Sequence, residues 1–265
     1  MRRQTIDEGD PLRICRYRHG REVGFGVLEN GSVAAISPHP FGPFEYTGER
    51  VPVGETRLLA PVLPTKVVAV GRNYAEHARE HGAEVAEEPI IFLKPSTSVV
   101  GTEDPIVKPT GVDRIDYEGE LAVIIGKLTR RVDEASAMQA VLGFTCANDV
   151  TARHLQEVDG QWTRAKGFDT FCPLGPWIET DLDSTDLALR TLINGEPRQA
   201  SRTSRMERGV AALISFVSSV MTLLPGDVLL TGTPEGVGPM AVGDRAEVEI
   251  EGIGVLRNPV IAEPS

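Results

Sequence analysis

Glu118 and Glu120 stand two residues apart, and the apolar run Leu121–Ile125 follows at once. In an extended strand, side chains at i and i+2 leave on the same face. A strand that runs straight into an apolar stretch carries such a pair toward the core. Two carboxylates there repel one another and lose hydration, and they stay ionised only when a cation joins them. A third acid, Asp149, closely follows another apolar run, Gly143–Ala147. Three oxygen ligands, with water or substrate completing an octahedron, suit Mg²⁺ or Mn²⁺. The spacing alone is usually that of a solvated strand face, and it is the apolar neighbours that point to the metal. Glu247, Glu249 and Glu251 repeat it, alternate with Val248 and Ile250, and read as half-exposed.

His77 and Glu80 lie three apart in a segment, Ala75–His81, that reads as a short helix ended by Gly82. That spacing brings both side chains to one face. A carboxylate beside an imidazole fixes its tautomer and raises its basicity, which suits a general base acting on water. An exposed charged helix is the competing reading, because Glu76, Arg79 and His81 crowd the same segment. Lys166 precedes Gly167-Phe168, where a turn can aim it inward, although the surface is the usual place for it and for Lys94. Arg72 is a further cation, with backbone carbonyls as alternative partners. In Thr231-Gly232-Thr233-Pro234 the glycine lets backbone N–H groups approach a carboxylate closely.

The elements that must position these residues read mainly as strands. Leu12–Tyr17, Glu22–Leu28 and Ser32–Ile36 come first. The proline- and glycine-rich stretch 38–64 reads as a loop-rich link, with a boundary near residue 62. Lys66–Val70, Pro89–Leu93, Leu121–Ile125, Val141–Ala147 and Val228–Leu230 are further strands, and the continuous apolar runs among them predict burial on both faces. Asn194-Gly195 signals a tight hairpin. One longer helix stands out. Ser204 and Glu207 fit a capping box, Val210, Leu213, Ile214, Val217 and Met221 follow at helical spacing, and Pro225-Gly226 ends it. Many strands with one substantial helix predict an α+β, mainly β fold.

A chain of 265 residues suits one large domain or one domain with a small appendage. The net charge of −11 offers no basic face and excludes nucleic acid as the expected partner. Cys15, Cys146 and Cys172 are odd in number and lack CxxC spacing, which argues for a reducing compartment rather than a disulfide scaffold. Met1-Arg2-Arg3-Gln4 leads into acidic and polar residues rather than an apolar core, and no stretch approaches a membrane span. The expectation is a cytoplasmic protein without a membrane partner.

Six segments in order resemble the fumarylacetoacetate hydrolase family. They are Gly71-Arg72-Asn73-Tyr74-Ala75-Glu76-His77, Phe92-Leu93-Lys94-Pro95-Ser96, Asp116-Tyr117-Glu118-Gly119-Glu120-Leu121, Asn148-Asp149-Val150-Thr151-Ala152-Arg153, Ala165-Lys166-Gly167-Phe168-Asp169-Thr170, and the glycine-rich 230–238. The resemblance spans about residues 64–260. It implies a mixed β-roll catalytic domain over residues 63–265 behind a small N-terminal β-rich domain, 1–62, and a homodimer. It assigns Glu118, Glu120 and Asp149 to Mg²⁺ or Mn²⁺, His77 and Glu80 to water activation, and Lys166 to substrate anchoring. Arg72, Tyr74, Lys94, Gln156 and Thr233 are the expected substrate contacts. The implied substrate is a small 2-oxo acid, whose carboxylate and keto oxygens chelate the ion while an enolate forms. The expected reaction breaks the neighbouring carbon–carbon bond, by hydrolysis of an acylpyruvate or decarboxylation of oxaloacetate. Isomerisation of a 2-hydroxyhepta-2,4-diene-1,7-dioate in aromatic catabolism, or metal–dicarboxylate binding without catalysis, are the alternatives.

Overall fold

The computed structural model describes residues 12–80, 82 and 84–264. The opening segment read above for a leader, and His81 at the end of the short helix, lie outside them. Among the described residues three sheets carry the fold. The largest has twelve strands, ten of them on a path that runs Glu45–Pro52, Ser32–Ser37, Glu22–Glu29, Arg13–His19, Cys172–Glu179, Val141–Asn148, Gly119–Ile125, Val228–Leu230, Val67–Gly71 and Ile90–Lys94, with Arg57–Leu59 paired to Arg13–His19 and Val99–Val100 to Cys172–Glu179 beside it. A five-stranded sheet contains Glu196–Arg202, Ala188–Ile193, Arg245–Ile250, Gly254–Ala262 and Ile106–Lys108. A three-stranded sheet joins Thr151–Ala152, Ile115–Tyr117 and Gly238–Met240. The expected α+β, mainly β class is what the chain adopts.

The apolar runs explain the centre of the large sheet. Along Gly119–Ile125 every residue is buried, and alternate side chains enter two different cores. Leu121, Val123 and Ile125 join one cluster, and Ala122 and Ile124 join the other. Val68 and Val70 divide from Val67 and Ala69 in the same way. This period of two is what a strand covered on both faces requires. The helix Val210–Val220 covers one face through Val210, Leu213, Ile214 and Val217. Asn194 and Gly195 turn the hairpin between Ala188–Ile193 and Glu196–Arg202 with φ of 55° and 81°, the left-handed pair a tight primed turn needs.

Two expectations are corrected. The stretch 38–64 is not simply a link: it contains the strands Glu45–Pro52 and Arg57–Leu59. The first strand also pairs with Cys172–Glu179, through Arg13 with Glu179 and Ile14 with Ile178, so the N-terminal strands continue the main sheet. The capping box does not form. Ser204 lies in a one-turn helix, Thr203–Arg205, and its hydroxyl donates to Asp186 Oδ1 at 2.6 Å. The long helix starts after Gly209 without a side-chain cap, and Met221 falls just beyond its end.

Candidate active site

Glu118 sits at the seam between Ile115–Tyr117 and Gly119–Ile125. Its backbone N–H donates to Asn148 Oδ1 at 2.9 Å, and its carbonyl accepts from Asp149 N–H at 2.8 Å. The strand end carrying Asp149 is thereby latched against the glutamate pair, with Gly119 opposite Asn148 in register. Glu118, Glu120 and Asp149 are all buried, and one carboxylate oxygen from each falls within 4.8 Å of the others. Gly119 between the glutamates cannot carry a side chain, because a Cβ there would lie 2.1 Å from Thr191 Oγ1 of the five-stranded sheet.

The three acids are unequally compensated. Burial alone would raise the pKa of Glu118, but Lys166, Arg153 and His77 outweigh it and hold the carboxyl well below its usual range. Arg153 Nη2 donates to Glu118 Oε1 at 2.6 Å, and Thr151 Oγ1 to the same oxygen at 3.1 Å. Lys166 Nζ donates to Glu118 Oε2 at 2.7 Å and to Asp149 Oδ2 at 2.6 Å. Burial would lower the pKa of Lys166, and Asp149 with Glu118 raises it instead. Glu120 has no such cation. Among the described residues its carboxylate accepts one hydrogen bond, from Gly232 N–H at 2.7 Å. Burial, then Asp149 and Glu118, push its pKa well above the ordinary value. A cluster of buried, converging oxygens with one carboxylate left short of positive charge fits a hard divalent ion.

These acids face a cavity of about 210 Å³ together with His77, Arg72, Gln156, Lys166 and Thr233. His77 Nδ1 lies 3.5 Å from a Glu80 oxygen, and the exposed Glu80 carboxylate accepts from Gly236 N–H at 3.2 Å. Arg72 lines the cavity from a left-handed backbone, φ 59°, at the turn after Val67–Gly71. For a residue with a Cβ that conformation is held by its surroundings, and such strain collects at functional sites. Asn73 supplies the hold: its side-chain N–H groups donate to Thr231 O at 2.8 Å and Arg208 O at 3.0 Å.

Not every expected contact reaches the cavity. Lys94 is fully buried behind Asp149, bonded to its Oδ1, and to Val150 O at 3.3 Å. It compensates the acid rather than facing the cavity. Tyr74 is also sealed in, and burial followed by Glu120 and Glu235 pushes its pKa up. Thr233 lines the cavity, donating to Gly119 O at 3.0 Å while accepting from Gln199 Nε2 at 2.8 Å. Sequence reasoning assigned no role to Arg153. It joins Glu118 to Asp116 Oδ2 at 2.9 Å and to Gln156 Oε1 at 2.7 Å. The cavity residues Phe92, Trp162 and Glu157 were missed too. An arginine four residues after the candidate ligand Asp149 was the available signal for Arg153.

Fold and cavity together define a β-rich protein with an acid-lined cavity at the ends of its central strands. Residues 66–261 match the fumarylacetoacetate (FAA) hydrolase C-terminal family, and residues 12–61 match the Rv2993c-like, N-terminal family. The chain is 52% identical to Protein Rv2993c of Mycobacterium tuberculosis over 94% of this chain and 98% of that one. It is 44% identical to the mitochondrial oxaloacetate tautomerase Fahd2a of Rattus norvegicus, over 97% of this chain and 82% of the relative. Among solved structures, a 2-hydroxyhepta-2,4-diene-1,7-dioate isomerase from Mycobacterium marinum superposes with a TM-score of 0.90 at 47% identity, covering 96% of this chain and all (100%) of that one. The chain belongs to the fumarylacetoacetate hydrolase family, a family of enzymes.

Proposed function

We propose that this enzyme uses a divalent ion, Mg²⁺ or Mn²⁺, to enolise a small 2-oxo acid and move a proton at the neighbouring carbon. The observation that carries the reading is the convergence of Glu118, Glu120 and Asp149 on a cavity that Lys166 and His77 also face. When bound by the three carboxylates, the ion supplies Lewis-acid polarisation of the 2-oxo group. Lys166 places a fixed positive charge beside the same acids, where it stabilises negative charge developing on the substrate. Arg72 offers the substrate carboxylate a cation that no described carboxylate neutralises through an ion pair. Glu80, held by Gly236 N–H, orients His77, and His77 gives or takes the proton. Relatives named as a tautomerase and an isomerase support proton movement as the net reaction.

Carbon–carbon cleavage is the second reading, and the His77–Glu80 pair favours it. The same base can activate a water to attack an acyl group on carbon 3, and decarboxylation of oxaloacetate needs no water. A panel of oxaloacetate, acylpyruvates and 2-hydroxy-dienoates, with Mn²⁺ and after EDTA, separates these outcomes. Enol absorbance should decay much faster with enzyme and Mn²⁺ than with either alone. Full turnover after exhaustive EDTA treatment refutes the metal-dependent reading. Release of carbon dioxide or a free acid from most of the panel replaces proton transfer with cleavage.

A further inference from the structure

The segment from Arg153 to Lys166 forms one wall of the cavity. Helix Arg153–Asp159 ends at Gly160, whose φ is 67°, and helix Thr163–Lys166 follows. Arg164 Nε donates to Asp159 Oδ2 at 2.7 Å and closes this corner. Trp162 stands at the corner, and its carbonyl accepts from Lys166 N–H at 3.0 Å. The indole is half-buried and lines the cavity. It meets the Phe92 ring edge-on, with centroids 5.2 Å apart and planes at 71°. Strand Val67–Gly71 passes beside it, and a Cβ on Gly71 would lie 2.5 Å from the indole. The ring therefore packs against a phenylalanine on one strand and the bare backbone of a glycine on the next. Trp162 and Phe92 are the aromatic surfaces of a cavity otherwise dominated by charged and polar groups.

The geometry points to Trp162 as the residue that sets how large a substrate tail the site accepts. This rests on the proposed function and extends it to size selection. The 2-oxo acid end belongs with the carboxylates and Lys166, so whatever carbon 3 carries must share the remaining space with the indole. That space is small. About 210 Å³ falls below the range of pockets that hold drug-sized ligands, which starts at roughly 300 Å³. An indole packed against Phe92 and the backbone at Gly71 limits the tail on that side of the cavity, because it cannot retreat toward either. The substrate class that fits is a 2-oxo acid whose group beyond carbon 3 is short, or flat enough to lie against the ring.

The test uses oxalate and N-alkyl oxamates of rising chain length as non-reacting chelators, measured by calorimetry with Mn²⁺-loaded protein. One methylene in an apolar pocket is worth roughly tenfold or more. The ratio of long-amide to oxalate affinity should therefore rise at least about tenfold in Trp162→Ala, with Trp162→Phe between it and the wild type. Melting curves establish that each variant is folded. Trp177→Phe leaves Trp162 as the sole indole of the chain's two, and its emission should shift more with the long amide than with oxalate. Oxalate binding with an unmoved affinity ratio and an unresponsive Trp162 emission overturns the wall alone. Failure of oxalate to bind at all overturns the proposed function, and the wall falls with it.

Discussion

Lys166 shares one ammonium between Glu118 and Asp149, at 2.7 Å and 2.6 Å, and all three residues are buried. Removing one partner of such a buried network leaves the others uncompensated, which costs far more than an exposed pair. His77 differs: Lys166 and Arg153 come before it among the charges that hold Glu118 ionised, so its loss leaves the acids their larger compensation. The two residues should therefore fail in different ways. His77→Ala should lower proton transfer or water attack by roughly 10²–10⁴-fold, the usual worth of a general base, and leave Mn²⁺ affinity largely intact. It should spare much of any oxaloacetate decarboxylation, which needs no activated water. Lys166→Ala should damage every activity and disturb Mn²⁺ binding as well. The measurement is kcat/KM on each substrate beside a Mn²⁺ titration of each variant. Equal losses on all substrates for His77→Ala would mean that the imidazole shapes the site instead of moving protons. The acids were legible at this scale because Leu121–Ile125 places them near a core. Arg153 was not, since its importance lies in reaching Asp116, Glu118 and Gln156 at once, which only the folded corner shows.

At the scale of elements, the site depends on two sheets lying close enough to trap Glu118 and Glu120. Gly119 is where they touch: Thr191 Oγ1 occupies the place of its missing Cβ, with Gln199 Oε1 and Val248 also within 3.4 Å of that point. Gly119→Ala must separate Gly119–Ile125 from Ala188–Ile193 or force Thr191 from its rotamer. Overpacking of this kind costs typically about 1–3 kcal/mol. The expected result is a lower denaturation midpoint together with weaker Mn²⁺ binding, read by urea titration and calorimetry. Unchanged stability would show that the sheets have slack at this seam. The elements themselves were readable in proportion to their burial. Leu121–Ile125 and Val228–Leu230 are continuous apolar runs and fell where they were expected. Glu45–Pro52 was hidden because it is an edge strand, largely exposed, with Thr47-Gly48-Glu49-Arg50 at its centre and no alternation to betray it. The capping box misled because Ser204 and Glu207 have the right spacing, yet Asp186 from across the loop takes the serine hydroxyl. Local patterns state what a segment can satisfy by itself, and tertiary partners decide which option wins.

Across the whole molecule, apolar side chains remain at the surface: Leu63 is 66% exposed, Val158 76% and Leu93, on an edge strand, 45%. A symmetric partner covering such groups is the proposed homodimer, and sedimentation equilibrium at micromolar concentration should give twice 28.6 kDa. A single species at the monomer mass refutes it. Among the described residues no helix is long and apolar enough to cross a membrane. The cavity meanwhile ties together distant parts of the chain. Glu118 and Glu120, Asp149, Lys166 and the Gly232 loop come from four separate segments, which meet only when the large sheet is complete. An ion held there binds the folded chain and has no comparable site in the unfolded one, so binding energy becomes folding energy. At a free Mn²⁺ concentration about 100 times its Kd, mass action adds roughly 2.7 kcal/mol. For a chain of this size each kcal/mol moves Tm by about 2–4 °C, so saturating Mn²⁺ should raise Tm by roughly 5–10 °C. Glu120 decides whether that gain comes from this site, because burial and its acidic neighbours leave its carboxylate the least compensated of the three. In Glu120→Gln the metal-free protein should melt no lower than the wild type, since a repelling charge has gone, and the Mn²⁺ increment should largely vanish. Calorimetric scans of both proteins, with EDTA and with Mn²⁺, read the two effects separately. A full Mn²⁺ increment in Glu120→Gln would place the ion elsewhere in the molecule.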